Sequence, residues 1–461
     1  MKQNNKIRLF PIALLLLGWA ASPMAATHLG PIASPSSGYG SWGSQVVAPP
    51  TVFSFNTQGY DNQISIYHPE AVLAPAASIF FAPGWNVSCE GYGELLRFLA
   101  SKGYTAVCDD YVENVGLIGA QLNSAFAEAA ARYPALIDTS RIGLMGHSSG
   151  AGLLTSVAYD LVRNRGWGSS GAFIFSSAPW IDFDISDAML ADYPRDIKLI
   201  VQTYEDDLTT DLRTYIQQFE SLPIADAEKE YITLRSASIN GYDYSANHAV
   251  PGTGGGYGVF DAMDDYGVFR IVEALADYTF NGNMEGWRQS LGNGIAAQIE
   301  MGVLPDLVST DAPRPIPGIS YDYPCDIPGN PRRSHCAEYD QELPASVLQQ
   351  PVKHQRINPR SPLFAWEPVV TAQSYFLQIR PLLADGEPDW DSSYGVSGIT
   401  TLDAGCESPG EPCRFVLPEN LPWEQNLVWW IKAYGGGREG VWSRRGYFST
   451  VGQGLFADGF E

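Results

Sequence analysis

Gly146-His147-Ser148-Ser149-Gly150 lies between a strand-like run, residues 141–145, and a helix-like run, residues 151–163. Glycines at both ends of this stretch permit a turn so tight that backbone lies against backbone, where a Cβ atom would clash. A serine at the centre of such a turn, after a strand and before a helix, has the sequence form of a nucleophile elbow. The stretch therefore predicts an α/β fold that holds Ser148 on a sharp turn at the end of a central strand.

The surrounding sequence, residues 51–283, alternates between short β-branched or aromatic runs and longer helical runs. This alternation is typical of a mostly parallel sheet with helices on both faces. The first two runs alternate with period 2, which predicts an initial antiparallel pair. Ser148 follows the fifth of eight predicted strands, which are residues 53–55, 64–67, 78–81, 104–108, 141–145, 172–176, 198–203 and 231–234.

Changes in composition divide the rest of the chain. Basic residues followed by an apolar run over residues 9–21 and small residues near Ala25 predict a secretory signal peptide. The alternative, a membrane anchor, would have an apolar core shorter than the ~20 residues that span a bilayer. We therefore predict an extracellular or periplasmic protein with a signal peptide (1–26), a Gly/Ser/Pro-rich arm (27–50), an α/β unit (51–283), a helix and Pro-rich linker (284–350), a β-sandwich (351–451) and a tail (452–461).

Six cysteines suit an exported chain. Two pairs lie close together in Pro/Gly-rich loops, Cys325 with Cys336 and Cys406 with Cys413, which leaves Cys89 with Cys108. Proximity is the only argument for these pairings, because six cysteines can pair in many ways. No Cys/His spacing indicates zinc, so we expect neither a metal nor another cofactor.

The formal net charge of -23 argues against nucleic acids and anionic membrane surfaces as partners, since both bind basic patches. The chain is also rich in aromatic residues, with 12 Trp and 24 Tyr. Such residues either grip apolar or sugar surfaces or fill protein cores, and the sequence leaves both open. Its oligomeric state is open as well.

A serine nucleophile needs a base within hydrogen-bond reach, and in this fold the order along the chain is serine, acid, histidine. His248, in a Gly-rich loop after the last strand, is the only histidine that satisfies this order. We expect the middle residue of the elbow, His147, to point away from the site. The remaining histidines precede the serine or lie outside the α/β unit: His28, His68, His335 and His354.

The acid that orients His248 should follow the seventh strand, where Glu205, Asp206 and Asp207 are adjacent. The usual pattern places a small residue three positions before the acid and an aliphatic residue two positions after it. Thr203 and Leu208 fulfil this pattern for Asp206, which we therefore prefer, with Asp207 as the alternative.

An acyl transfer also needs N–H donors for the oxyanion. The backbone N–H of Ser149 is one candidate, and the N–H of Trp85, in the loop after the third strand, is the other. Gly84 lets this loop turn inward. The Trp85 ring could then form a wall of the cleft or pack in the core.

These residues resemble the α/β-hydrolase superfamily, and more narrowly its lidless secreted branch of cutinase-like, dienelactone hydrolase-like and poly(ethylene terephthalate) hydrolase-like enzymes. The resemblance covers residues 51–283 and implies a catalytic triad of Ser148, Asp206 and His248. It also implies that Trp180, in Ala178-Pro179-Trp180, flanks the ester as a substrate wall. Ser149 stands where those enzymes usually have methionine, and the Gly-rich run 252–258 is unusually long.

Residues 351–451 resemble a fibronectin type III domain, with Trp366-Glu367-Pro368 near the first strands and Trp442-Ser443 near the last. Only residues 179–196 are available for a cap between the sixth and seventh strands, so we expect an open cleft. The favoured function is a carboxylic ester hydrolase, whose substrate could include an insoluble polymer or lipid surface. A peptidase or amidase with the same triad, or an inactive fold that acts in binding or adhesion, remains an alternative.

Overall fold

The computed structural model of the chain describes residues 26–71, 74–254, 256–360, 362–408 and 411–452. The signal peptide and tail predicted from the sequence lie outside the described residues, apart from Ala26 and Gly452. Within the described ranges, no helix combines the length and the apolar character needed to span a membrane.

The α/β unit is built on a mixed sheet of nine strands among the described residues, in the order β1-β2-β4-β3-β5-β6-β7-β8-β13. The first pair is antiparallel, as predicted, and the strands from β4 to β8 in this order run parallel. Strands and two short hairpins of this region are β1 (Thr51–Thr57), β2 (Tyr60–Tyr67), β3 (Ala76–Ala82), β4 (Thr105–Asp110), β5 (Ile137–His147), β6 (Ala172–Ser177), β7 (Lys198–Tyr204), β8 (Lys229–Leu234), β9 (Ala237–Ile239), β10 (Tyr242–Tyr244), β11 (Thr253–Gly254), β12 (Tyr257–Gly258) and β13 (Val308–Thr310).

All eight predicted strands overlap β1 to β8, whereas the ninth was not predicted. β13 comes from the Pro-rich segment and pairs antiparallel with β8 at the edge of the sheet. Three residues bounded by prolines and acids carry too little alternation to be recognised as a strand. The prediction of an eight-stranded sheet is therefore one strand short.

Helices cover both faces of the sheet. Within β3, Phe81 packs with Tyr92 on one face, and Phe80 packs with Phe126 on the other. Strands buried on both faces read as continuous apolar runs, which explains the Ile79-Phe80-Phe81 sequence. The α-helices are α1 (Gly93–Ser101), α2 (Ile118–Arg132), α3 (Ser148–Gly152), α4 (Leu154–Ala158), α5 (Asp187–Ala191), α6 (Arg213–Ser221), α7 (Arg270–Asn281), α8 (Met284–Ser290) and α9 (Ala296–Ile299).

The N-terminal arm lies along the α/β unit through backbone hydrogen bonds. The N–H of Leu29 donates to the carbonyl of Phe260, and the N–H of Gln45 donates to the carbonyl of Ser101. An extended arm cannot bury a core of its own, so these contacts with the unit hold it in place.

The C-terminal region is all-β, with one three-stranded sheet and one larger sheet among the described residues. A single hydrophobic core lies between them, with Trp366 and Trp429 at its centre. Its strands are β14 (Glu342–Leu343), β15 (Leu348–Gln350), β16 (Gln355–Ile357), β17 (Leu363–Trp366), β18 (Ser374–Pro381), β19 (Val396–Thr400), β20 (Cys413–Val416), β21 (Asn426–Gly435), β22 (Arg438–Trp442) and β23 (Gly446–Thr450).

The segment between the two regions contributes to both of them, because β13 extends the large sheet and β14 pairs in parallel with β22. An ion pair also crosses between the regions: Arg444 Nη2 lies 2.5 Å from Oε1 of the fully buried Glu230. Disulfide bonds form at the pairs that proximity predicted, Cys89–Cys108, Cys325–Cys336 and Cys406–Cys413, and no free cysteine is found among the described residues.

Candidate active site

Ser148 lies on the sharp turn between β5 and α3. Its φ of 54° is in the left-handed region that side chains other than glycine rarely adopt. A Cβ at Gly146 would lie 2.9 Å from the carbonyl oxygen of Ala82, and one at Gly150 would overlap the carbonyls of Ala82 and Pro83. Both glycines are therefore required by the close approach of the β3 end. Backbone strain of this kind is characteristic of functional positions.

The side chains of Ser148, His248 and Asp207 form a continuous hydrogen-bonded row. His248 Nε2 lies 3.0 Å from Ser148 Oγ, and His248 Nδ1 lies 2.8 Å from Asp207 Oδ2. Because a carboxylate only accepts, Nδ1 carries the proton, and in neutral His248 the free Nε2 lone pair faces the serine hydroxyl. The imidazole is thus oriented to remove the proton of Ser148.

Asp207 is held by its own turn after β7. Oδ1 accepts from the N–H of Thr209 at 2.7 Å, and Oδ2 accepts from the hydroxyl of Thr210 at 3.2 Å. The side chain of Asp207 is 1% exposed. These donors fix the carboxylate in one orientation beneath the histidine.

Asp206, the acid preferred from the sequence, does not contact His248. The N–H of Asp207 donates to the carbonyl of Tyr204, which closes a turn that directs Asp206 outward. The Asp206 carboxylate is exposed and accepts from Ser236 Oγ at 2.5 Å. Leu208, the aliphatic neighbour in the sequence pattern, is 54% exposed. The prediction that Asp206 orients the imidazole is therefore wrong, and Asp207 has that place.

His147 does not point away from the site, contrary to expectation. Its ring is fully buried and lies 4.7 Å from the ring of His248, centroid to centroid. His147 Nε2 lies 2.8 Å from the backbone carbonyl oxygen of His248, and Nδ1 lies 2.8 Å from Tyr92 Oη. Burial, and then the neighbouring His248, hold the pKa of His147 well below its usual value. His147 is therefore a neutral support beneath the loop that carries His248.

The Gly-rich run after His248 is a hairpin, β11 and β12, packed against this support. Tyr257 in β12 lies 5.8 Å from the His147 ring and 5.9 Å from the Tyr92 ring, centroid to centroid. A Cβ at Gly252 would collide with the Tyr257 ring. Gly252 thus allows Tyr257 to pack under the loop that carries His248.

The two predicted oxyanion donors, Trp85 and Ser149, flank the elbow. Ser149 lies in the first turn of α3, where backbone N–H groups have no acceptor within their own helix. The loop with Trp85 is adjacent, because a Cβ at Gly84 would lie 3.3 Å from the Cβ of Ser148. The Trp85 ring is 43% exposed, so it borders the open side of the site rather than the core.

Trp180 borders Ser148, because its backbone N–H donates to the carbonyl of Ser148 at 3.0 Å. Its ring contacts Phe183 and Tyr323, with centroid distances of 5.3 and 5.5 Å. Sequence analysis missed Tyr323, which comes from the Pro-rich linker. The Tyr323 N–H donates to the carbonyl of Thr209 beside Asp207, a long-range contact that no local pattern encodes.

Cys89, Cys108 and Asp110 are close enough in space to resemble a metal-ligand set. Both sulfurs, however, are joined in a disulfide bond, and Asp110 accepts a hydrogen bond from the N–H of Cys89. A metal-binding cysteine must be a free thiolate, so this group does not fit a metal.

No protein-family model matches the chain, and no curated protein matches it. The site combines a strained serine, a histidine and a buried carboxylate in a hydrogen-bonded row, beside backbone N–H groups at the start of a helix.

Proposed function

We propose that this protein is a secreted serine hydrolase of the α/β-hydrolase type that cleaves carboxylic esters. The observation that carries the proposal is the row Ser148–His248–Asp207, with contacts of 3.0 and 2.8 Å and the serine at a φ of 54°. Nucleophile, base and orienting acid in hydrogen-bond reach are what acyl transfer through a serine requires.

In the proposed mechanism, Ser148 Oγ attacks the ester carbonyl while His248 Nε2 takes the hydroxyl proton. The resulting imidazolium is stabilised by Asp207 and returns the proton to the departing alcohol. Water then attacks the acyl-enzyme with the same histidine as base, which releases the acid and restores Ser148. Neutral His147 supports the His248 carbonyl throughout.

The N–H groups of Trp85 and Ser149 are the proposed donors to the tetrahedral oxyanion. Each such donor stabilises the transition state by about 3 kcal/mol in related chemistry. The support for this assignment is the position of Ser149 at the start of α3 and the contact of Gly84 with the elbow.

The surroundings of the site favour bulky or polymeric esters. Trp85, Leu208 and Tyr323 are 43, 54 and 50% exposed. Between β6 and β7 the one short helix is α5, so this segment provides no large cap to cover them.

Disulfide bonds support export, since they persist in oxidising compartments. We assign an accessory role to the all-β region, whose two packed sheets resemble a fibronectin type III domain.

The test is hydrolysis of p-nitrophenyl esters of increasing acyl length by the wild type and by Ser148→Ala. The variant should lose about 10⁶-fold in kcat, because the nucleophile is gone. The acyl-length profile of the wild type then separates short esters from fatty ones.

Covalent labelling by a fluorophosphonate separates the remaining possibilities. Labelling at Ser148 without turnover of any ester would contradict the esterase assignment and favour amide substrates. Absence of both labelling and turnover would contradict a serine hydrolase altogether and leave a binding function.

A further inference from the structure

A buried hydrogen-bond relay connects His147, which precedes the nucleophile, with the loop that follows β3. His147 Nε2 faces a carbonyl, which only accepts, so Nε2 carries the proton of the neutral ring and Nδ1 is an acceptor. Tyr92 Oη therefore donates to Nδ1 at 2.8 Å and accepts from the N–H of Gly84 at 2.9 Å. The direction of every hydrogen bond in this relay is fixed.

A second relay starts from Ser149, on the other side of the nucleophile. Tyr111 Oη donates to the carbonyl of Pro83 at 2.8 Å, which uses its single proton. The contact of 2.8 Å between Ser149 Oγ and Tyr111 Oη must then have the serine as donor. This relay ends at the carbonyl of Pro83, whereas the first ends at the N–H of Gly84.

We infer that Tyr92 and Tyr111 are positioning residues that fix the oxyanion loop, Pro83-Gly84-Trp85, against the nucleophile elbow. Tyr92 accepts from the N–H of Gly84 and Tyr111 donates to the carbonyl of Pro83, so both polar groups of the single peptide unit between Pro83 and Gly84 are held. The direction of the Trp85 N–H, in the next peptide unit, depends on the orientation of this one. The inference rests on the proposed function, because it assigns the loop its role in oxyanion binding.

Both hydroxyls lie in surroundings that make the relays rigid. Tyr92 is fully buried and Tyr111 is 7% exposed, so water does not readily replace either hydroxyl. Burial raises the pKa of both tyrosines, which therefore stay protonated and able to donate. A phenylalanine would keep the ring packing but leave buried polar groups unpaired.

The experiment compares Tyr92→Phe, Tyr111→Phe and the double variant with wild type in steady-state ester hydrolysis and in the rate of labelling by a fluorophosphonate. We expect each single variant to lose about 10 to 100-fold in kcat and in labelling rate, since small misplacements of catalytic donors have effects of this size. KM should change less than about threefold. The double variant should lose less than the product of the single losses, because both hydroxyls hold the same loop.

The matched control is Tyr193→Phe, which removes another buried hydroxyl, one that donates to the carbonyl of Thr155 at 3.0 Å. It should cost similar stability in thermal unfolding while kcat and labelling stay within about twofold of wild type. Labelling of Tyr92→Phe and Tyr111→Phe at the Tyr193→Phe rate would overturn the inference and leave the proposed function intact. Failure to label the wild type would reject the proposed function, and the inference with it.

Discussion

Aromatic residues have different roles in the two regions of this molecule. In the α/β unit, Tyr92 and Tyr111 are buried and act through their hydroxyls, each bonded to two polar partners around Ser148. In the all-β region, by contrast, the tryptophans contribute mainly ring contacts, although the indole N–H of Trp429 also donates to the carbonyl of Pro351. Trp429 fills the core, whereas Trp390 is 62% exposed and stacks with Arg380 at 4.6 Å from centroid to guanidinium carbon.

A groove of about 1200 Å³ lies between the two regions, where Trp390, Trp430 and Trp442 of the all-β region face Asp226 of the α/β unit and Asn293 of the linker. The side chains of the row formed by Ser148, His248 and Asp207 do not line it. Substitutions in the two regions should therefore separate activity from stability. Changes to the hydrogen-bonding groups around Ser148 should reduce activity, whereas loss of a core ring in the all-β region should reduce stability and leave activity unchanged.

The largest expected effect distinguishes two adjacent acids. Asp207→Ala should lower kcat by about 10⁴-fold, because His248 loses the partner that sets its tautomer. Asp206→Ala should stay within about threefold of wild type, since its carboxylate contacts Ser236 and not the imidazole. Steady-state kinetics on one p-nitrophenyl ester measure both. Equal losses in the two variants would contradict the assignment of Asp207.

Trp429→Ala and Trp390→Ala test the other half of the comparison. Loss of the buried Trp429 ring should lower the free energy of unfolding of the all-β region by about 4 kcal/mol. Loss of the Trp390 ring should cost only about 1 kcal/mol, because the ring is mostly exposed and loses a cation–π contact with Arg380 and an edge contact with Trp430. Denaturant unfolding monitored by fluorescence gives both values. Activity that falls in Trp390→Ala under conditions where the protein is folded would contradict the separation of the two regions.

Arg444→Met tests the contact that joins the two regions. It leaves the buried Glu230 carboxylate without its cation, and we expect a loss of about 3 kcal/mol in the free energy of unfolding near pH 8. Burial raises the pKa of Glu230 above its usual value. The loss should therefore shrink as the pH falls and the carboxyl becomes neutral.

Denaturant unfolding near pH 8 and near pH 5 measures this dependence, with the double variant Glu230→Gln/Arg444→Met as the control. The control removes both charges and should recover most of the stability. A loss in Arg444→Met that is the same at both pH values would show that packing, rather than the buried charge, is responsible.

The most gradual of these effects is a dependence of stability on pH, spread over several pH units, that arises at Asp182, beside Trp180. Burial raises the pKa of Asp182 to about 7, against a usual value of 3.8. Its stabilising contribution is complete below the unfolded-state pKa and is lost as the pH rises through the folded-state value. Between these two pKa values, Asp182 should therefore lower the free energy of unfolding by at most about 1.4 kcal/mol for each unit of rising pH.

Asp182→Asn cannot ionise, so it should flatten this part of the pH profile measured by denaturant unfolding. It should also lower stability by a constant amount, because Asn has a single accepting oxygen. Asp182 uses both of its oxygens: Oδ1 accepts from the N–H groups of Asp184 and Ile185, and Oδ2 accepts from the N–H of Ser156. An unchanged slope in this variant would place the pH dependence at other buried carboxyls.

Local patterns in the sequence were sufficient to predict the structure wherever residues close in sequence decide the local conformation. The elbow of residues 146–150 was predicted because a strand, a glycine-bounded turn and a helix follow one another directly in the sequence. The order of strands along the chain and the position of His248 after the last of them followed from hydrophobic periodicity and chain order. The disulfide pairs also involve partners that are close in sequence.

The two wrong predictions, for Asp206 and for His147, have a common physical origin. Asp206 and Asp207 are adjacent and of the same residue type. Which of them points inward depends on a turn closed by the hydrogen bond from the N–H of Asp207 to the carbonyl of Tyr204. The burial of His147 depends on Tyr92 and on the hairpin with Tyr257, which arrive from distant positions in the chain.

The sequence by itself determined the α/β unit with a serine at its elbow, the all-β region after it, and the histidine that faces the serine. Only the tertiary structure decided which acid orients that histidine, which tyrosines hold the loop after β3, and that the linker brings Tyr323 to Trp180. Periodicity records which face of a strand or helix is buried. It does not record the rotation of a turn or the meeting of side chains far apart in sequence, because packing of the whole chain sets both.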